Sequence, residues 1–252
     1  AGESDVQAKA DAIFKLENGL ALASWPAADR RDADKVYNPL TIVELRKLAP
    51  QFPWDAYFAS AGISENAPHG GRMVIVAEKS AFPKLAAVFA KTPVSVWRDY
   101  LTVRYLHSFA AYLPKTIDDA DFAFYGKVLS GKEKQLDRQT RAVQLLDGAI
   151  GEALGKLYAA KYFSAEAKAK ALALVNNLLK AYEADVKTLA WMTPETRAKA
   201  LDKLHKFTPK IGYPDHWRDY SALQIDHKNL IASIQNASEF EWNRRRKRID
   251  QP

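Results

Sequence analysis

Helical patterns, separated by prolines and glycines, recur along almost the whole sequence. Residues 5–24 place four aliphatic side chains at spacings of seven, three and four, the spacing of one helix face: Val6, Ile13, Leu16 and Leu20. Residues 134–160 and 164–190 are rich in Ala, Leu, Lys and Glu, which all favour helix. No internal repeat and no Gly/Ser-rich linker divides the chain. The sequence therefore predicts a mainly α fold.

Start and stop signals place shorter elements in the first half. In "YNPLTIVELRKLAP" we expect Asn38 to cap a helix, Pro39 to take its first position and Pro50 to end it. The segment "FPWDAYFASAGI" predicts a short helix that Gly62 closes in a left-handed conformation. The apolar residues Met73–Ala77 follow two glycines, so they are the best strand candidate in this half.

Further helices are predicted between the strand candidate and the end of the chain. One begins near Ser80, and another runs from Thr92 to Leu113, just before Pro114. A last helix is predicted from Asp226 to Lys247.

The segment 191–221 joins a helix start to an aromatic loop. In "TPET" we expect Thr193 to be the cap and Pro194 to lie in the first turn. An apolar stripe predicts that this helix packs against a neighbour: Trp191, Ala198, Leu201 and Leu204. In "TPKIGYPDHWRDYS" two prolines and a glycine then forbid a continuous helix.

Composition excludes some classes of protein. The 252 residues include no cysteine, which rules out disulfides, thiol catalysis and Cys-ligated zinc. The longest apolar runs are far shorter than the roughly 18 residues of a membrane-spanning helix, so we expect no membrane span. The first residues, "AGESDVQAKADAIF", lack the basic and apolar regions of a signal peptide.

The formal charge is +7, and basic side chains concentrate in "NRRRKR", residues 243–248. Such a run can bind nucleic acid or an acidic partner. It can also be the solvated last turn of a helix, where cations interact favourably with the helix dipole. Because no aromatic stacking platform or known DNA-binding pattern accompanies the run, we favour the second interpretation and expect no nucleic-acid partner.

The five histidines lack the spacing of a helical zinc site: His69, His107, His205, His216 and His227. A site of the HExxH type needs two histidines four residues apart, with a glutamate beside the first. His205 and His216 flank the aromatic loop and could meet, but no clear third ligand accompanies them. We expect no metal site made by this chain alone, and we interpret His107 as a hydrogen-bonded histidine at a helix interface.

No other catalytic motif is present. The sequence has no nucleophile elbow, Walker loop or G-x-G-x-x-G turn, and the glycines at 70–71 are too weak a signal for a phosphate loop. The acidic pairs Asp118/Asp119 and Glu239/Glu241 are interpreted as solvated helix surface. The sequon-like "NAS" at 236–238 is interpreted as accidental. Taken alone, the residues indicate a helical domain without catalytic residues.

Several long segments nevertheless resemble one enzyme family. They include "LAWMTPETRAKALDKLHKFTPKIGYPDHWRDYS", "YNPLTIVELRKLAPQFPWDAYFASAGI", "WRDYLTVRYLHSFAAYLP" and "FAFYGKVLSGKEKQLDRQTRAVQLLDGAIGEALGKLYAAKYF", followed by "FEWNRRRKRIDQP". These segments resemble the neprilysin/endothelin-converting-enzyme family of zinc metallopeptidases, particularly its bacterial oligopeptidase-O-like members. Along the chain they follow each other in the same order as in that family. The resemblance extends from about Ala8 to the end of the chain.

The chain also departs from this family in length. Members are much longer, and their catalytic portion holds an Asn-Ala motif that grips the peptide, the HExxH helix and a downstream glutamate ligand. None of these motifs lies in residues 1–252. The resemblance therefore implies an internal piece of a family member, or one polypeptide of a nicked enzyme.

The resemblance implies a specific place in a two-domain fold. In the family, a helical lid domain closes over a thermolysin-like catalytic domain, and the two enclose a cavity that admits short peptides. Residues 1–190 would form the helical, substrate-enclosing lid, and residues 191–252 a helix and aromatic loop that lead toward the catalytic domain. Five residues of the loop are predicted to form a structural domain junction: Tyr213, Trp217, Arg218, Asp219 and Tyr220.

The function that the resemblance implies is zinc-dependent hydrolysis of oligopeptides. A companion portion with HExxH would bind the zinc and activate its water, while this chain, inactive alone, would enclose peptide substrates. The same resemblance implies a periplasmic or secreted bacterial protein. Two alternatives stay open: a stand-alone helical binding module, and a basic nucleic-acid-associated protein that uses Arg244–Arg248.

Overall fold

The computed structural model describes residues 5–67 and 70–251. The helices of these residues, in chain order, are α1 (Val6–Ala23), α2 (Ala33–Val36), α3 (Ile42–Leu48), α4 (Trp54–Ala61), α5 (Phe82–Lys91), α6 (Val94–Phe109), α7 (Lys115–Asp121), α8 (Arg138–Tyr162), α9 (Ala165–Thr188), α10 (Pro194–His205) and α11 (Leu230–Arg246). The short strands are β1 (Pro39–Thr41), β2 (Asn66–Ala67), β3 (Gly70–Gly71) and β4 (Met73–Ile75). The predicted mainly α fold is confirmed.

The chain divides into two compact units. The first unit comprises Ala1–Gln135 and Glu241–Pro252, and the second comprises Leu136–Phe240. Helix α11 therefore gives its first part to the second unit and its end to the first. The sequence-based division at residue 190 concerns the route toward a catalytic domain, and it stays a prediction.

The first unit has a small apolar core around a two-stranded antiparallel ladder. Strands β1 and β4 pair Leu40 with Val74, and β2 pairs with β3 in a second short ladder. The buried core side chains are Leu40, Ile42, Leu45, Phe58 and Val76. Burial of such side chains removes apolar surface from water and is the main force that holds this unit together.

The predicted helix start at Asn38 and Pro39 is wrong. Pro39 lies in β1 opposite Ile75, and the helix begins only at Ile42. Thr41 is the cap: its hydroxyl accepts from the backbone of Glu44, whose carboxylate accepts from the backbone N–H of Thr41. This capping box ends the strand and starts the helix at one residue.

The other elements of this half agree with the sequence patterns. Helix α4 ends at Gly62, which has a φ of 63°, as expected for a left-handed helix end. The strand candidate is confirmed for Met73–Ile75. The predicted helix from Thr92 is α6, which a 3-10 turn, Ala110–Tyr112, extends to the region before Pro114.

Between residues 115 and 128 the structure contains helices that the sequence analysis did not predict. Helix α7 runs into a π-helix, Phe122–Val128, in which Gly126 lies against the ring of Phe122. The interpretation of Asp118 as solvated surface is wrong: its side chain is buried and accepts a hydrogen bond from Gln135. A buried carboxylate needs such donors because it has lost its water.

The second unit is built on long helices, and the predicted cap at Thr193 is confirmed. Ser164 caps α9 and Thr193 caps α10, each through its hydroxyl oxygen. Helix α10 packs against α9, but the predicted stripe is only partly right, because Trp191 and Ala198 are exposed. The last helix begins at Leu230 rather than at Asp226, whose carboxylate accepts instead from the backbone of Lys228 in a turn.

Candidate functional site

A cleft of about 410 Å³ opens in the second unit, between α8 and the aromatic loop. Its walls are aromatic and its floor is formed by small residues of α8. The side chains and glycines that define it are Gly151, Gly155, Tyr158, Phe163, Tyr213 and Trp217. We call this the aromatic cleft.

The floor of the aromatic cleft is flat because glycine has no side chain. Gly151 and Gly155 are four residues apart in α8, so they lie on the same face of the helix. A Cβ built on Gly155 would lie 3.7 Å from the indole of Trp217, an ordinary contact distance. The helix bends at Ile150, whose φ of −136° is not helical, immediately before Gly151.

The walls of the cleft are a set of stacked rings. Tyr213 stacks on Trp217 with centroids 5.7 Å apart and planes 15° apart, and Phe163 meets Tyr213 edge-on at 5.9 Å. Gly212 allows this approach: it has a φ of 72°, and a Cβ there would lie 2.7 Å from the ring of Phe163. Stacked rings present a broad apolar surface of the kind that binds apolar and aromatic groups.

A charged pair lies beside the cleft, because Glu152, which lines it, bonds to Arg218. The backbone N–H and the guanidinium of Arg218 each donate to the carboxylate of Glu152 at 2.9 Å. Both side chains are about one quarter to one third exposed. The pair fixes the loop to α8. The carboxylate of Glu152 is therefore used in a structural contact.

Lys168 of α9 supports the same loop from the other side. Its ammonium donates to the carbonyl of Tyr213 and to the carboxylate of Asp215, and it lies 4.5 Å from the ring centroid of Tyr213. The hydrogen bond from Lys168 lowers the pKa of Asp215 below its ordinary value. The lysine therefore orders the wall of the cleft by charge and by contact with the ring.

The structure brings only part of the predicted junction set to the cleft. Tyr213 and Trp217 form its wall, and Arg218 bonds to Glu152 beside it. Asp219 instead accepts two hydrogen bonds from Ser221 within the loop, and the backbone bond lowers its pKa. Tyr220 stacks on Phe240 at 5.6 Å, and its buried hydroxyl has no hydrogen-bond partner in the described part of the chain.

The cleft also contains residues that the sequence analysis missed. Tyr158 and Phe163 lie in or beside α8, and Glu152 lies one turn before Gly155. A signal for the floor was present, because Gly148, Gly151 and Gly155 recur at spacings of three and four within a helical segment. No sequence pattern pointed from this floor to the aromatic loop.

A second, more apolar cleft of about 400 Å³ lies in the first unit. Phe52, Trp54, Phe82, Phe89 and Trp97 line it. The indole N–H groups of both tryptophans donate to backbone carbonyls, that of Trp54 to Ala49 and that of Trp97 to Phe89. The polar atoms of the indoles are thus satisfied within the unit.

His107 lies outside both clefts. Its Nδ1 bonds the carboxylate of Asp121, and its ring stacks on Tyr125 with centroids 3.8 Å apart. This is the hydrogen-bonded histidine between helices that the sequence predicted. Nε2 of His205 lies 3.6 Å from a carboxylate oxygen of Glu183. The side chains of His216 and His227 are exposed, and His69 lies outside the described residues.

Comparison with known proteins gives the family. A family model described as "Peptidase family M13" matches residues 1–214. The chain belongs to peptidase family M13. It is 28% identical to Neprilysin-2 of Drosophila melanogaster over 90% of this chain and 32% of that protein. It is 26% identical to human endothelin-converting enzyme 1 over 88% of this chain and 29% of that protein.

A solved M13 relative has the same fold. The structure of the Mycobacterium tuberculosis zinc metalloprotease Zmp1 in its open state superimposes with a TM-score of 0.85 at 36% sequence identity. The match covers 99% of this chain but only 38% of the Zmp1 chain. The chain thus spans about a third of the length of its M13 relatives, and the resemblance seen in the sequence is confirmed.

The described residues do not fit a zinc ion, although the solved relative Zmp1 is named a zinc metalloprotease. No group of three or more His, Cys, Asp or Glu side chains in residues 5–67 and 70–251 could hold a metal. No helix within the same ranges is long and apolar enough to cross a membrane.

Proposed function

We propose that this chain is the non-catalytic, substrate-enclosing part of a zinc metalloendopeptidase that hydrolyses oligopeptides, and that it works as one chain of a nicked enzyme. Membership of the M13 family supports the reaction class. The short span relative to the M13 relatives supports the role of a part. The zinc chemistry would come from sequence outside residues 1–252.

The observation that carries this proposal is the amount of surface left uncovered. The accessible area of the chain is 18779 Å². A compact monomer of 28.2 kDa has about 11,000 Å², and two separate compact units of this total mass have about 13,400 Å². The difference of roughly 5,000 Å² exceeds a standard protein interface, which supports a large missing partner surface.

The exposed side chains agree with the excess area. Helix α6 has no buried residue along its 16 positions, although its sequence is rich in aliphatic and aromatic residues. Val94 and Leu101 on this helix are 74% and 59% exposed, and Leu174 on α9 is 70% exposed. Large exposed apolar areas of this kind mark interaction surfaces.

The role of the aromatic cleft in this proposal is to hold an apolar part of an enclosed peptide. Its stacked rings and glycine floor suit a flat or branched apolar side chain. The carbonyl of Tyr213 and the carboxylate of Glu152 already accept hydrogen bonds from Lys168 and Arg218. Enclosure would also exclude water around the reacting peptide bond, which strengthens electrostatic interactions there. Tyr213 and Trp217 would form this wall, and Arg218, Asp219 and Tyr220 would join the loop to its surroundings.

A bacterial origin is supported by identity, which is 36% to the Mycobacterium Zmp1 and 26–28% to the animal relatives named above. We propose a periplasmic or secreted location, as the family resemblance implies.

Peptidase activity is the direct test of this proposal. The whole protein that contains this chain should cleave unstructured oligopeptides and leave a folded protein intact, and a zinc chelator should abolish the cleavage. Residues 1–252 alone should show no cleavage. Cleavage by residues 1–252 alone, or no cleavage by the whole protein, would overturn it.

A further inference from the structure

The charged groups beside the aromatic cleft are neutralised within the chain. The ammonium of Lys168 lies 2.6 Å from the carboxylate of Asp215, and the guanidinium of Arg218 lies 2.9 Å from that of Glu152. Each ion thus has a counter-ion, and the walls of the cleft are aromatic. A charged side chain that entered would lose its water without gaining a counter-charge, which is unfavourable. The charges of the cleft therefore favour an uncharged, apolar occupant.

The size of the cleft suits one aromatic side chain. Its volume is about 410 Å³, whereas an apolar cavity of about 150 Å³ is enough to bind benzene. The remaining space is sufficient for the peptide backbone that carries the ring. Gly151 and Gly155 keep the floor free of side chains, so a flat group can lie against the backbone of α8.

Tyr158 has the most free surface of the rings in the cleft. Four aromatic side chains line the cleft, and three of them contact one another and are half-buried: Phe163, Tyr213 and Trp217. Tyr158 is 62% exposed, although it lies only three residues after Gly155 and on the same face of α8. A ring with so much uncovered area gains most when a ligand covers it.

We propose that the aromatic cleft is a subsite for an aromatic side chain of the peptide substrate, and that Tyr158 determines its specificity. This inference rests on the proposed function and names the class of side chain that the cleft takes. The ring of the peptide lies on the glycine floor, against the exposed ring of Tyr158. Aromatic pairs in offset or edge-to-face geometry attract each other beyond the burial of apolar area, so a phenyl ring binds better than a saturated ring of the same size.

Matched peptides test this specificity in the whole protein. An unstructured oligopeptide is made in two forms that differ at one position, with phenylalanine in one form and cyclohexylalanine in the other. This position is moved along the peptide in a series. At one position of the series we expect kcat/KM of the phenylalanine form to be about fivefold higher, and this preference should depend on Tyr158.

Three variants show whether the ring of Tyr158 is responsible. Tyr158→Leu should remove the preference for phenylalanine, and Tyr158→Phe, which keeps the ring, should retain it. Tyr182→Leu is the matched control, because Tyr182 is an exposed tyrosine of α9 outside the cleft, and it should retain the preference as well. Since both tyrosines are exposed, all three variants should keep the parent melting temperature.

Binding without cleavage separates this inference from the proposed function. With the zinc chelated, ligand-observed NMR measures the dissociation constants of N-acetyl-phenylalaninamide and its cyclohexyl analogue for the whole protein. Tyr158→Leu should weaken binding of the phenyl compound severalfold more than that of the analogue, and Tyr182→Leu should change neither.

Two results would overturn the proposal: a cleavage preference that Tyr158→Leu leaves unchanged, or equal effects of this variant on the binding of the two compounds. If the whole protein cleaves no peptide, the proposed function fails. A preference for the phenyl compound that depends on Tyr158 would then still support an aromatic site in the cleft.

Discussion

Arg218 donates two hydrogen bonds to the carboxylate of Glu152, one from its backbone N–H and one from its guanidinium, although the two residues are 66 positions apart. The carboxylate of Glu152 projects from the glycine-rich face of α8, and Arg218 lies in the aromatic loop next to Trp217. The pair thus holds the aromatic loop, which carries the wall of the cleft, against the helix that forms its floor. Its partial burial makes each hydrogen bond stronger than one in water.

We expect Glu152→Gln to lower the free energy of unfolding by about 1 kcal/mol, because a neutral amide replaces the charged acceptor of two hydrogen bonds. The matched control is Glu195→Gln, whose exposed pair with Lys199 should contribute less than about 0.5 kcal/mol. Urea unfolding measures both. Equal effects of the two substitutions would contradict a special role for the Arg218–Glu152 pair.

Two glycines of the cleft should respond in opposite directions to alanine. Gly155→Ala should raise the free energy of unfolding by about 0.5–1 kcal/mol, because the helix interior favours alanine and the new Cβ finds ordinary contact distances. Gly212→Ala should lower it by about 1 kcal/mol or more, because its φ is positive and Phe163 blocks the Cβ. Thermal unfolding of both variants checks the signs, and a stabilising Gly212→Ala would refute the wall geometry.

The cap of α10 can be tested with a single hydroxyl. Thr193→Ala removes the oxygen that accepts from the backbone of Thr196, and it should destabilise the second unit by about 1 kcal/mol. Thr208→Ala, at an exposed position outside any helix, serves as the control and should have almost no effect. If circular dichroism during unfolding shows the same stability for both variants, Thr193 does not cap the helix.

The pH dependence of stability should reflect the cap of α8. Hydrogen bonds from the hydroxyl and the backbone N–H of Thr140 lower the pKa of Asp137. Because the folded-state pKa lies below the unfolded value, this contribution is present above the unfolded pKa of about 4 and is lost as the pH falls through the folded pKa.

Asp137→Asn keeps a capping oxygen but cannot titrate. Its melting temperature should therefore fall less steeply than that of the parent chain between about pH 5 and about pH 2. The parent chain, measured in the same buffers, is the reference. Identical slopes would mean that Asp137 contributes nothing to the acid sensitivity.

Local signals sufficed where neighbours in sequence determine the structure. Thr193 followed by proline marked the start of α10, and Gly62 marked the end of α4, because each acts through backbone groups within one turn. At Asn38 the same reasoning failed. Pro39 pairs with Ile75, a residue 36 positions later, and this pairing replaces the helix that Asn38 and Pro39 suggested. The capping box at Thr41 and Glu44 was visible in the sequence and was the better signal.

The candidate site was predictable only in part for the same reason. Tyr213, Trp217 and Arg218 stood out as part of an aromatic, proline-broken loop, and the structure places the two aromatic residues in one cleft. Their partner Glu152 comes from a distant helix, and no periodicity links residues 66 positions apart. The burial of Asp118 was likewise invisible, because it depends on Gln135 and on the packing of α7.

The central claim is that this chain is the enclosing part of a larger zinc peptidase, and intact mass spectrometry tests it most directly. The purified particle is measured first under native and then under denaturing conditions, with zinc quantified in the same sample. We predict a co-purifying polypeptide and about one zinc ion per particle. A lone chain of 28.2 kDa without metal would contradict the claim and leave a helical binding module.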